Sequence, residues 1–175
     1  MPPPGKQWFH ITFGTLGSWL PGDPRGFRTK HEKIHSSGHH RAPPPPGEHA
    51  KLLCYSEQLR PDAVVILKPL LPVIGHAIIE SAGQHGYRIN ALSIAPMHAH
   101  LLIELPRTGT VAEVGKLKRR ASFAIKDRMP GRVWAKGCGV KPIKDKSHLV
   151  NTFNYILRHK EQGAWVWSFR DEQQL

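Results

Sequence analysis

The chain has 175 residues, enough for one domain with a real core and a long insertion. Lys and Arg number 25 against 13 for Asp and Glu, a formal charge of +12, so a polyanion is the expected partner, either nucleic acid or an anionic membrane surface. No stretch is long and apolar enough to span a bilayer, the first residues lack the apolar core of a signal peptide, and Cys54 and Cys138 stand in no metal-ligand spacing. This excludes a membrane span and a disulfide scaffold, predicts a cytoplasmic protein, and leaves nucleic acid as the leading partner.

Trp8 to Phe13 alternates, with Phe9, Ile11 and Phe13 on one side and Trp8, His10 and Thr12 on the other, which is the period of a half-buried strand. From Gly14 to about Pro61 the pattern dissolves into Gly, Pro, His and Lys, including the run Pro43 to Pro46, and predicts a long flexible insertion over about 15–60. Lys68 to about Gly86 reads as a helix that tolerates Pro69 and Pro72 in its first turn and carries Leu70, Leu71, Ile74, Ala77, Ile78 and Ala82 on one face. Tyr87 to Ala95 and His98 to Leu105 read as two strands joined tightly at Pro96-Met97. Thr110 and Glu113 match a capping box that opens a helix to about Arg128, with Val111, Val114, Leu117, Ala121, Ala124 and Ile125 facing inward. Arg132 to Ala135 reads as a short strand and Lys136 to Gly139 as a Gly-rich turn. Ser147 is the expected cap of a last helix that runs to about Lys160 and ends near Gly163. The first six elements match an α+β, ferredoxin-like split βαβ plan. It has one antiparallel sheet, helices on one face, the other face open, and a further C-terminal helix, all within a single domain over 1–175.

His98-Ala99-His100 is the sharpest chemical signal. On a strand, residues i and i+2 project to the same face, so both imidazoles point one way, spaced to chelate one metal, while Ala99, Leu101 and Ile103 point toward the helices. Two ordinary polar residues on a solvated face would give the same pattern. On the last helix Tyr155 and His159 are four apart and share a face, so His159 could supply a third metal ligand beside a tyrosine nucleophile. The alternative for Tyr155 is a core aromatic among Phe153, Ile156 and Leu157. His31-Glu32-Lys33-Ile34-His35 fits the zinc-protease pattern, but only Ile34 could anchor such a helix, and a chance match in a solvated loop is the preferred reading. Lys116, Lys118, Arg119 and Arg120 crowd one stretch of helix, and Lys136 lies in the turn that follows. With Trp19, Trp134, Trp165 and Trp167 available for stacking, they predict a groove that tracks phosphates.

The segment Pro96-Met97-His98-Ala99-His100-Leu101-Leu102 resembles the metal-binding strand of the single-tyrosine HUH transposases, the group that includes insertion-sequence transposases and REP-associated tyrosine transposases. Three further segments are similar in order and spacing: Thr15 to Gly26 after the first strand, Val133 to Gly137, and Ser147 to Leu157 on the last helix. The resemblance covers most of the chain apart from about Arg28 to Arg60. It implies that His98 and His100 bind metal, that Tyr155 is the catalytic tyrosine, and that His159 is a third ligand where relatives carry Gln or Asn. It also implies a Mg or Mn cofactor, a single-stranded DNA partner with a hairpin nearby, and cleavage and rejoining through a 5′-phosphotyrosine. Trp19, Asp23 and Arg25 become candidates for reading bases or the hairpin. Monomer and homodimer both stay open, as does a domesticated or non-catalytic nucleic-acid-binding module. His10, on the open side of the first strand, is a further contact that the sequence does not place.

Overall fold

A computed structural model of the chain describes residues 3–23, 34–39, 42–59 and 62–171. It divides into two compact units, Met1–Leu16 with Val64–Leu175, and Gly17–Ala63.

The larger unit is built on a five-stranded antiparallel sheet: β1 (Lys6–Gly14), β2 (Ile89–Ile94), β3 (His98–Pro106), β4 (Gly139–Pro142) and β5 (Trp165–Ser168), in the order β4-β1-β3-β2-β5. The first four strands follow the split βαβ order, and β5 extends the sheet at the β2 edge. β1 and β3 pair along their whole length, from Lys6 opposite Pro106 to Gly14 opposite His98. This long central pairing fixes the register on which the site depends, because a one-residue slip would move every side chain to the other face.

Each face carries its own apolar cluster. Phe9, Ile11 and Phe13 of β1 join Ala99, Leu101, Ile103 and Leu105 of β3 beneath two helices, one at Leu71–Gln84 and one at Thr110–Ala124. On the opposite face Ala91, Leu102, Ile143, Phe153 and Ile156 form a smaller cluster. With the helix of the smaller unit, Ala50–Leu59, numbered α1, these two are α2 and α3, and α4 (Lys146–Arg158) lies on that second face. The face expected to be open is therefore partly covered by α4, which is anchored through Phe153 and Ile156.

Several local expectations are corrected. Gly109, with φ 71°, caps α3, and no capping box forms. Thr110 Oγ1 instead donates to the Pro106 carbonyl at 2.9 Å, and Glu113 accepts from the Tyr87 hydroxyl at 2.7 Å. α3 stops at Ala124, and Val111 and Ala124 are exposed. Asp145 caps α4, accepting from the His148 amide at 2.7 Å, two residues before the expected Ser147. Residues 132–135 supply only an isolated bridge between Thr15 and Trp134, while the edge strand is β4. β5 was not anticipated. It docks Trp165 against α2 at Gly75, where a β-carbon would lie 1.8 Å from the indole.

The smaller unit is not structureless, because it contains α1. Gly22, at φ 92°, lies so close to the Leu53 amide and the His49 carbonyl that a side chain would collide with both.

Candidate metal centre

The histidine site follows from the strand pleat. Ala99, Leu101 and Ile103 are fully buried on the α2–α3 side, so His98 and His100 project to the α4 side. Across the strands His100 is flanked by Thr12 of β1 and Ser93 of β2. α4 and the residue just past it contribute from above: Phe153 and Ile156 face the sheet, which turns Tyr155 and His159 toward the β3 histidines. The His100 and His159 rings are 4.5 Å apart, those of Tyr155 and His159 4.8 Å, and those of Tyr155 and His100 5.4 Å. His159 is buried, whereas Tyr155 is 41% exposed and is not a core aromatic.

His98, His100 and His159 each offer a ring nitrogen, and these atoms lie within 4.8 Å of one another. Imidazole nitrogens bind a zinc-sized cation at about 2.0–2.1 Å, which sets them about 3.4 Å apart in a tetrahedral shell, so closing the trio takes a side-chain adjustment of up to about 1.4 Å. The protonation states suit ligation. Burial, followed by the charges of His159, His98 and His10, holds His100 down to about 3. Burial and then His159 lower His98 as well. Neutral imidazoles are the form that ligates. His159 Nδ1 lies 3.0 Å from the Tyr155 backbone carbonyl. A carbonyl only accepts, so Nδ1 is the donor, and in the neutral ring Nε2 is the nitrogen left for a metal.

His10 lies diagonally across from His100 and comes within hydrogen-bond reach of it, Nε2 to Nδ1 at 3.1 Å. Burial first, then the charges of Lys141, His148 and His159, lowers His10 to about 4. Placing it needed the β1–β3 register, which no local pattern reveals. Ser93, also missed, is fully buried, and its hydroxyl has no partner among the described residues.

The basic residues of α3 lie on the other side of the sheet from this centre. Arg119 is exposed, Lys116 pairs with Glu113 at 2.7 Å and Arg120 with Glu80 at 3.2 Å. Lys118 is a correction: it is buried, and its ammonium donates to the carbonyls of Ala135 at 2.7 Å and Gly137 at 2.6 Å, so it holds the following turn instead of facing a ligand. Lys136 is exposed in that turn. Among the tryptophans, Trp134 is buried edge-on to Phe13 at 4.9 Å, and Trp165 and Trp167 pack against the main core. Trp165 and Trp167 are half-buried, and Trp19, in the smaller unit, is 53% exposed. Arg25 lies outside the described residues, as do His31 and Glu32, and residues 34–37 form no helix.

No protein-family model matches the sequence, and no curated protein matches it. Among solved structures, the chain is similar to a REP-associated tyrosine transposase bound to a REP hairpin. The identity is 14% and the TM-score 0.47, with 90% of this chain and 68% of that one covered. A likeness at that level transfers no residue role, and the site stands on its own geometry. Among the described residues no helix is long and apolar enough to cross a membrane.

Proposed function

We propose that this chain cuts and rejoins single-stranded DNA through a covalent link to Tyr155, the activity implied by its resemblance to the single-tyrosine HUH transposases. One observation carries the reading. An exposed tyrosine stands with its ring 4.8 Å from that of His159 and 5.4 Å from that of His100, beside three imidazoles able to share one cation. A phosphodiester is anionic and resists attack, so a tyrosine nucleophile needs positive charge at the phosphate. His98, His100 and His159 would hold a divalent cation, which would supply that charge as a Lewis acid, and an all-imidazole donor set would favour Mn over Mg.

Tyr155 lies at the exposed edge of the cluster, where its hydroxyl oxygen can attack phosphorus. The phosphorus–O3′ bond breaks, the phenol proton is released, and the departing 3′ oxygen takes up a proton. The products are a 5′-phosphotyrosine and a free 3′-hydroxyl. The diester's energy is kept in the covalent link, so attack by another 3′-hydroxyl reseals DNA without nucleotide hydrolysis. Lys141, across the strands from His10, adds positive charge beside the centre. Arg119, Lys136, Lys116 and Arg120 are the proposed phosphate contacts on the α3 side, and Trp19 the proposed stacking residue.

The test uses labelled single strands from the flanks of the gene, including segments able to form hairpins, incubated with Mn or Mg. A covalent adduct with wild type, absent from Tyr155→Phe and from His98→Ala and not formed when a chelator is present, supports the reading. Tight DNA binding without an adduct in any arm overturns it in favour of a binding module.

A further inference from the structure

We infer that His10 is a positioning residue for the metal centre: its Nε2 accepts the Nδ1 proton of His100 and fixes that ring with its other nitrogen directed to the cation. The inference rests on the reading of His98, His100 and His159 as metal ligands.

The hydrogen bond between His10 Nε2 and His100 Nδ1 spans 3.1 Å, with the rings stacked at 5.3 Å and 28°. Of its two senses, only one is compatible with ligation. If His10 donated, His100 would carry its proton on Nε2 and have no lone pair left for a metal. If His100 donates from Nδ1, its Nε2 is free. His159 is arranged the same way, with Nδ1 spent on the Tyr155 carbonyl at 3.0 Å. Two of the three ligands are thus oriented by a partner on Nδ1, one from the backbone of α4 and one from a side chain of β1. Metal-bound histidines are generally held by such a partner, which sets both tautomer and ring orientation.

His10 is not itself a fourth ligand. Its Nε2 is committed to His100, and it is not among the three residues whose ligand atoms lie within 4.8 Å of one another. The long β1–β3 pairing sets its place: Thr12 stands opposite His100 and His10 opposite Leu102, so the two histidines meet on the diagonal. Its ring also stands edge-on to Tyr155 at 5.8 Å. One side chain therefore borders both the ligand it orients and the proposed nucleophile.

Two measurements test this. Long-range proton–nitrogen spectra of the imidazoles in metal-free, nitrogen-15-labelled protein read the tautomer of His100 directly. The Nδ1–H form is expected in wild type, with a mixture in His10→Leu, and a wild-type Nε2–H form overturns the inference whether or not the protein binds metal. The second measurement is Co binding by calorimetry and visible absorption. His10→Leu should bind about 10–100-fold more weakly with an altered spectrum, the usual cost of removing such a partner. His10→Gln, which keeps an acceptor at similar reach, should recover most of that loss, with circular dichroism showing both variants folded. Equal affinity and an equal spectrum in His10→Leu overturn the inference while leaving the metal reading intact. Absence of Co binding in wild type removes the metal reading and this inference's consequence together.

Discussion

Replacing Gly75 by alanine should destabilise the protein although it improves helix propensity. Gly75 is buried on α2, and a β-carbon there would lie 1.8 Å from Cζ3 of Trp165 and 2.4 Å from Cε3 and Cη2. Ordinary contact begins at 3.4 Å, so the indole would have to retreat by more than an ångström. It is held by the pairing of Trp165 with Ile94 and by the edge of His76 at 5.2 Å. Alanine gains about 1 kcal/mol in helix propensity, while forcing extra volume into a packed site costs about 1–3 kcal/mol. An overlap this deep belongs at the upper end, which leaves a net loss of about 2 kcal/mol. For a chain of this size that lowers the melting temperature by about 4–8 °C. Gly83, on the same helix with nothing within 4 Å, is the control: Gly83→Ala should be neutral to stabilising by about 1 kcal/mol. Thermal and urea unfolding followed by circular dichroism compares the two. If Gly75→Ala proves as stable as Gly83→Ala, Trp165 is not packed on α2 and the placement of β5 is wrong.

Other outcomes follow from burial. His10 and His100 are held down to about 4 and about 3, chiefly by burial, against an ordinary 6.5. Below pH 6.5 the unfolded chain therefore binds protons that the folded chain refuses. Their contribution is fully present above 6.5 and is lost as pH falls, toward about 4 for His10 and about 3 for His100. The melting temperature of metal-free protein should drop between pH 6.5 and 5, less steeply in His100→Gln, and an equal slope in that variant contradicts the assignment. Lys118→Met should cost about 1 kcal/mol by removing its hydrogen bonds to the carbonyls of half-buried Ala135 and exposed Gly137, while DNA affinity of the folded variant stays unchanged. Arg119→Ala should do the reverse, sparing stability while weakening strand binding and flattening its salt dependence; urea melts and salt-titrated anisotropy would expose the opposite pattern. Ser93→Ala removes a buried hydroxyl without a partner, so it should be neutral or stabilising by about 1 kcal/mol in the same melts. A loss of stability above that size would mean the hydroxyl is bonded.

The elements that were legible in the sequence are those whose own period reports their surroundings. β1 alternates cleanly, α2 carries a wide apolar stripe, and the pleat of β3 separates His98 and His100 from Ala99, Leu101 and Ile103. The spacing of Tyr155 and His159 brings them to one side at the C-terminal end of α4 for the same reason. What escaped was set by distant neighbours. β4 reads Gly-Val-Lys-Pro with every residue exposed, so it carries no burial signal and exists because β1 offers it an edge. β5 is four residues long and owes its place to the gap over Gly75. Lys118 sits in a run of cations that looks solvated, yet its ammonium is drawn inward by carbonyls 17 and 19 residues away. Thr110 resembles an N-cap, but Gly109 in the left-handed region performs the turn. His10 becomes a partner of His100 only once the β1–β3 register is known.

As the proposed nucleophile, Tyr155 becomes covalently bonded to DNA during cleavage. The most direct measurement is mass spectrometry of proteolysed, nuclease-trimmed protein after reaction with a flanking single strand and Mn. The peptide containing Tyr155 should gain the mass of a 5′-linked nucleotide, and the gain should vanish in Tyr155→Phe. A nucleotide adduct on another residue, or cleaved DNA with an unmodified Tyr155 peptide throughout, would contradict it.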